Sequence, residues 1–87
     1  MNLGAVIEAL YESEINCSVT TFWEAGIIAQ LGDEMNGFVA QQECQTTLEA
    51  AEFLDRAARH HFPESAYALG KAEWERRNQA REDRRNN

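Results

Sequence analysis

Apolar residues recur at two different periods along this chain, and the change of period marks its elements. After Asn2, a residue type able to cap a helix, Leu3, Val6, Ile7, Leu10 and Tyr11 follow the i, i+3, i+4, i+7, i+8 spacing of a core-facing stripe. That spacing predicts a helix over about residues 3–14. Ile15, Cys17, Val19, Thr21 and Trp23 then alternate with Asn16, Ser18, Thr20 and Phe22, a β-branched and aromatic run at the strand period of two. Glu24-Ala25-Gly26 supplies a three-residue reversal with glycine last, and Ile27 to Leu31 reads as the returning strand. Such a turn sets Trp23 opposite Ile27, Thr21 opposite Ala29 and Val19 opposite Leu31, all on one strongly apolar side. Phe22 and Ile28 then emerge on the opposite side, beside Ser18, Thr20 and Gln30.

Gly32 to Gly37 forms a second turn, and Phe38 to about Cys44 a third strand whose inward face is contested between Phe38 with Ala40 and Val39. Thr46 and Glu49 make the Thr-x-x-Glu pattern of a capping box. Behind it, Ala50, Ala51, Phe53, Leu54, Ala57, Ala58 and His61 provide a broad, alanine-rich packing stripe that can lie close on a sheet. Pro63 stops this helix, because it lacks an amide proton and disfavours helical geometry at Phe62. A third helical stretch begins at Ser65, with Tyr67, Gly70 and Trp74 on one face. Residues 75–87 contain only Ala80 as an apolar side chain and bury too little to order themselves. The expected fold class is therefore α+β, in α-β-β-β-α order, with a three-stranded antiparallel sheet packed against helices. A single domain spans 1–72, and 73–87 is a polar helical or disordered C-terminal extension.

Length adds a constraint. An 87-residue chain holds one core and buries roughly 60–65% of its unfolded surface, so self-association is a natural source of extra stability. Charge is uneven. Residues 1–70 carry eleven acids against Arg56 and Arg59, a balance of −9, while residues 71–87 carry six bases against four acids, a balance of +2, for a net −7. Phosphate backbones repel such a body, which excludes ordinary nucleic-acid binding and suits a basic protein surface. No apolar run approaches membrane length, and Cys17 and Cys44 have neither metal-ligand nor redox spacing. A cytoplasmic protein with reduced thiols, no cofactor and no membrane partner is expected.

Catalytic patterns are missing: there is no glycine-rich phosphate loop, no serine elbow and no zinc-binding spacing. The adjacent His60 and His61 point about 100° apart on a helix. Asp33-Glu34 with Asn36 clusters oxygens but lacks the rest of a calcium loop, and no metal site is expected. Arg56, Arg59 and His60, at i, i+3 and i+4, form a basic cluster that an anionic, nucleotide-like ligand could use with Trp23, Phe22 or Tyr67 stacked on it. The alternative is internal pairing, Glu52 with Arg56 and Asp55 with Arg59. Phe22 and Ile28, joined by Val39 or Phe38, make an apolar island that marks an interface unless Tyr67 and Trp74 fold across it.

The segment from Ile7 to Leu69, above all Phe22-Trp23-Glu24-Ala25-Gly26 and Leu31-Gly32-Asp33-Glu34-Met35-Asn36-Gly37-Phe38, resembles a set of short bacterial and prophage proteins. That resemblance carries no catalytic residues. Gly37-Phe38-Val39-Ala40 followed by Thr47-Leu48-Glu49-Ala50-Ala51 is similar to the strand-to-helix half of HicB-type antitoxins, over less than half the chain. The element order is also similar to that of double-stranded-RNA-binding domains, whose basic patch is absent here. These features lead to an expected function: a small, acidic, non-enzymatic binding protein, phage-associated, acting in counter-defence. It sequesters either a host protein with a basic surface, through Glu24, Asp33 and Glu34, or a nucleotide-like signal, through Arg56, Arg59 and His60. The alternatives are an antitoxin-like neutraliser of a basic toxin and a structural homo-oligomer joined through Phe22 and Ile28.

Overall fold

The fold, given by a computed structural model, is described for residues 1–85, with side chains through residue 81. Residues 86 and 87 of the C-terminal extension and the side chains of Glu82, Asp83, Arg84 and Arg85 lie outside the described residues. The elements are α1 (Leu3–Glu12), β1 (Cys17–Phe22), β2 (Gly26–Asp33), β3 (Gly37–Cys44), α2 (Thr47–His61), α3 (Ala66–Leu69) and α4 (Lys71–Arg85). The three strands form one antiparallel sheet in the order β1-β2-β3. The class is α+β, as the periodicities imply.

Local chemistry explains the boundaries. Asn2 Oδ1 accepts the Ala5 amide at 3.0 Å, and Thr46 Oγ1 accepts that of Glu49 at 3.1 Å. Glu49 reaches back to the Gln45 amide at 2.9 Å, one residue earlier than in the usual reciprocal box. The chain leaves α1 through Glu14, whose φ of 62° is the left-handed conformation, and the Ile15 amide returns to the Leu10 carbonyl at 2.9 Å. That backward bond swings Ile15 into the core. A side chain in this conformation costs about 1 kcal/mol that glycine avoids. Glu14→Gly is therefore expected to raise stability by about that amount, read as a higher urea midpoint with an unchanged slope.

One side of the sheet is buried beneath the helices. Leu10, Leu31, Leu54 and Cys44 are the largest fully buried side chains, with Ala29, Ala50, Ala51 and Ala58 filling between them. Four alanines let α2 lie close on β2 and β3, the strands it packs against. The described core contains no buried polar or charged residue.

The register differs from the one expected. Phe22 pairs with Gly26, Thr21 with Ile27, Val19 with Ala29 and Cys17 with Leu31. The Ala25 amide closes the turn on the Phe22 carbonyl at 2.9 Å, so Trp23, Glu24 and Ala25 form the loop and Trp23 leaves the sheet. Gly26, at φ 109°, belongs to the ladder, and a Cβ there would sit 2.8 Å from the Cys44 carbonyl oxygen. Because the shift is two residues, each side chain that stays within β1 and β2 keeps its expected face, whereas Trp23, expected on the apolar side, is 93% exposed in the turn. The ambiguity in β3 resolves through a bulge: Leu31 pairs with Ala40 and Gly32 with Phe38, leaving Val39 unpaired. Phe38 joins the open side, whereas Val39 borders a cleft with Phe62 and Trp74 on the helical side.

The helical stretch expected from Ser65 is broken. Ser65 Oγ accepts the Ala68 amide at 3.2 Å, but Gly70, at φ 89°, ends α3 and α4 starts afresh at Lys71. Arg77 anchors α4 to Glu64 at 2.9 Å, and Glu73 bridges Arg76 and Arg77. The hydrogen bonds from Arg76, then Arg77, pull the Glu73 carboxyl down to about 2. Running away from the sheet, α4 stretches the molecule to 58 × 28 × 17 Å.

Candidate functional site

Among the described residues no helix covers the second side of the sheet, and its side chains are arranged in rows across the three strands. Phe22 lies over Gly26 in the first row, and Thr20, Ile28 and Glu43 make the second. Ser18, Gln30 and Gln41 make the third, where the Ser18 hydroxyl donates to Gln30 Oε1 at 2.8 Å and Gln30 Nε2 to Gln41 Oε1 at 2.7 Å. Beyond this polar ladder come Gly32 and Phe38. The face is thus divided, with apolar groups at both ends and a satisfied amide relay between them.

The first end is the more apolar. Phe22 is 49% exposed and Trp23, at the tip of the turn, is 93% exposed. Ile28 sits diagonally beside Phe22 and is half-buried. Two acids border this cluster, Glu24 in the turn and Glu43 at the end of the Ile28 row. Tyr67 and Trp74 do not fold across the patch but line a cleft with Ala9, Glu12 and Arg59 on the helical side.

Asp33 and Glu34 stand at the opposite end, seven strand residues or about 24 Å from Gly26. Asp33 has a structural part. Its Oδ2 accepts Asn16 Nδ2 at 2.7 Å and its Oδ1 the Asn36 amide at 2.8 Å, which ties the second turn to the start of β1. These hydrogen bonds, from Asn16 first, hold its carboxyl below the usual range. Glu34 is exposed, and Met35 beside it is 95% exposed. Among the described residues no group of three His, Cys, Asp or Glu side chains converges as a metal would require.

The basic cluster lies on α2, across the sheet from Phe22 and Ile28. Asp55 Oδ1 accepts both Arg59 Nε at 3.1 Å and the Tyr67 hydroxyl at 2.7 Å. The guanidinium stands 5.3 Å from the centre of the Tyr67 ring and reaches the Ala68 carbonyl at 3.5 Å. Burial, then the Asp55 carboxylate, pushes the Tyr67 phenol well above its ordinary range, so it remains a hydrogen-bond donor. The group is a latch between α2 and α3. Of the two pairs offered by spacing, Asp55–Arg59 forms, whereas Glu52–Arg56 does not. Arg56 is exposed, and His60 meets His61 edge-on with ring centres 4.9 Å apart.

Phe22, Trp23, Glu24 and Ile28 thus come together at one end of the open face, while Asp33 with Glu34, and Arg56 with Arg59 and His60, occupy separate places. Sequence reasoning missed Glu43, Met35 and the glutamine ladder as neighbours. Their placement depends on a register and a bulge that residue types alone leave open. Among the described residues no helix is long and apolar enough to cross a membrane. Comparison with protein-family models, curated proteins and solved structures finds no match.

Proposed function

We propose that this chain is a small, acidic, non-enzymatic binding protein that captures a protein partner on the first-hairpin end of its open sheet face. The observation carrying this reading is the uncovered cluster of Phe22, Trp23 and Ile28 bordered by Glu24 and Glu43. Exposed aromatics with a polar rim have the composition of an interface centre. The acidic border selects a partner whose apolar contact is surrounded by Lys or Arg, and the net charge of −7 draws such a surface in. In the phage setting that the resemblance implies, the partner is a host defence protein held in the cytoplasm. A basic toxin held by its neutraliser presents the same chemistry. The nucleotide version is less favoured, because Asp55 already engages the charge of Arg59 and the hydroxyl of Tyr67, the ring of Tyr67 is already stacked on Arg59, and Phe22 and Trp23 lie across the sheet from them.

The test is quantitative capture on the immobilised full chain from a bacterial lysate, followed by affinity measurement on the captured protein. Replacing Phe22 and Trp23 together by alanine is expected to weaken binding at least about 30-fold, the effect of losing one strong anchor or more. Arg56→Glu is expected to leave it unchanged. Capture that survives the double substitution and disappears with Arg56→Glu moves the site to α2 and sinks this proposal.

A further inference from the structure

We infer that the free edge of β1, together with the outer stripe of α1, is a self-association surface that joins two copies of this chain into one continuous six-stranded sheet. It starts from which peptide groups are already used. The Gly32 amide donates to the Asn16 carbonyl at 2.7 Å, which makes Asn16–Gly32 a hydrogen-bonded pair. Antiparallel pairs alternate, so Ser18, Thr20 and Phe22 also direct their N–H and C=O groups to β2. Cys17, Val19 and Thr21 therefore point theirs outward, along an edge with no neighbouring strand among the described residues.

Exposed edges in folded proteins are normally guarded by charge, proline or a bulge. The β3 edge has such guards, a bulge at Val39 and the carboxylate of Glu43. β1 has none: Cys-Ser-Val-Thr-Thr-Phe is uncharged, proline-free and regular over its whole length. Its inward residues are also less covered than the middle of β2. Cys17 and Val19 are half-buried and Thr21 exposed, whereas Ala29 and Leu31 of β2 are fully buried.

The helix layer continues the same flank. Ala9, Glu12 and Ser13 of α1 face the cleft with Arg59 and Tyr67. Helical spacing puts Leu3, Ile7 and Tyr11 on roughly the opposite side, away from that cleft. Leu3 and Ile7 are half-buried, and Tyr11 is 81% exposed. The strand edge and the stripe of Leu3, Ile7 and Tyr11 carry no charged side chain, in a chain whose net charge is −7, and the exposed Glu8, three residues before Tyr11, stands at its rim. Charge selects the occupant. A second copy brings another −7, and on this flank two copies can meet with carboxylates only at the rim. A basic partner gains nothing there.

A two-fold axis at Val19 sets Val19 against the second copy's Val19 and Cys17 against the second copy's Thr21, which pairs every outward-facing residue of both edges. It also keeps buried-side residues beside buried-side residues, as strand parity requires. A six-residue strand pair alone falls short of the ~1,200 Å² that stable interfaces bury, so contact between the α1 stripes is part of the arrangement. The pairing is isologous and closed, and adds no further chains.

Light scattering on the full chain tests it, with the wild type expected at twice the 9.9 kDa chain mass. Thr21→Pro removes an outward N–H and no bond of the β1–β2 ladder, and is expected to give the mass of one chain. Tyr11→Glu, at an exposed site that the fold does not depend on, is expected to shift the same equilibrium toward single chains. It decides the matter should Thr21→Pro fail to fold by circular dichroism. Phe22→Ala is expected to keep the doubled mass, which separates this surface from the proposed partner face. A wild type with single-chain mass, a doubled mass that persists in folded Thr21→Pro and in Tyr11→Glu, or one lost only with Phe22→Ala overturns the inference.

Discussion

Gly32→Ala is expected to lose about 3 kcal/mol or more of folding stability, among the largest effects available to a single methyl group in this chain. Gly32 has φ 102°, which an alanine adopts only at a cost of about 1–2 kcal/mol. The added Cβ would also press on the Gly37 carbonyl oxygen, with Phe38 Cα at 3.0 Å and the Val39 nitrogen at 3.2 Å. All three are backbone atoms of the opposing strand, at the bulge itself, so no side chain can swing aside. Relief requires the bulge to open, and with it the pairing of Asp33 with Gly37. For a domain of this size a urea slope of about 1–1.5 kcal/mol/M turns that loss into a midpoint lower by about 2 M. A midpoint within about 0.5 M of wild type would show that the turn re-forms without the bulge.

Leu54→Ala is expected to cost about 2–5 kcal/mol, the range for removing a fully buried leucine and leaving a cavity. Leu54 packs in the cluster formed by α1, α2 and the covered side of the sheet. Surrounding alanines have no longer side chains with which to refill the space. An 87-residue domain has roughly 4–13 kcal/mol in total, so the variant approaches its unfolding threshold at 37 °C. Leu48, on the same helix but 49% exposed, is the internal control. Leu48→Ala is expected to change stability by less than about 0.5 kcal/mol. Equal losses at the two positions would mean that α2 does not present the face described.

The difference between these two leucines was legible in the sequence, since the alanine-rich stripe through Leu54 leaves Leu48 outside it. So were the Asn2 and Thr46 caps, the stop at Pro63, and the face on which each side chain of β1 and β2 emerges. Parity protected that last reading. Placing Gly26 at the end of the loop gave a register two residues out, and an even slip leaves every side chain on its own side. What the slip did change was the neighbours. Ser18 faces Gln30 rather than Gly32, and Trp23 caps a turn rather than packing on Ile27.

Two other features were hidden for different reasons. Phe38 and Val39 are both good strand residues, so nothing in their types shows which one the bulge leaves unpaired. Gly70 resembles a tolerated glycine within a helical pattern, and nothing in its type shows that it takes a φ of 89° and separates α3 from α4. The candidate site divides along the same line. Its apolar members were readable from alternation, whereas the acid Glu43 beside Ile28 became visible only once the third strand had its register.

The outward run of α4 has a hydrodynamic consequence. A compact chain of 87 residues has a radius of gyration of about 12 Å, whereas this one measures 15.0 Å. On a calibrated gel-filtration column one such chain therefore elutes ahead of a compact sphere of its own mass. Elution volume alone would overstate the mass of a single chain, so frictional and absolute-mass measurements must be read together.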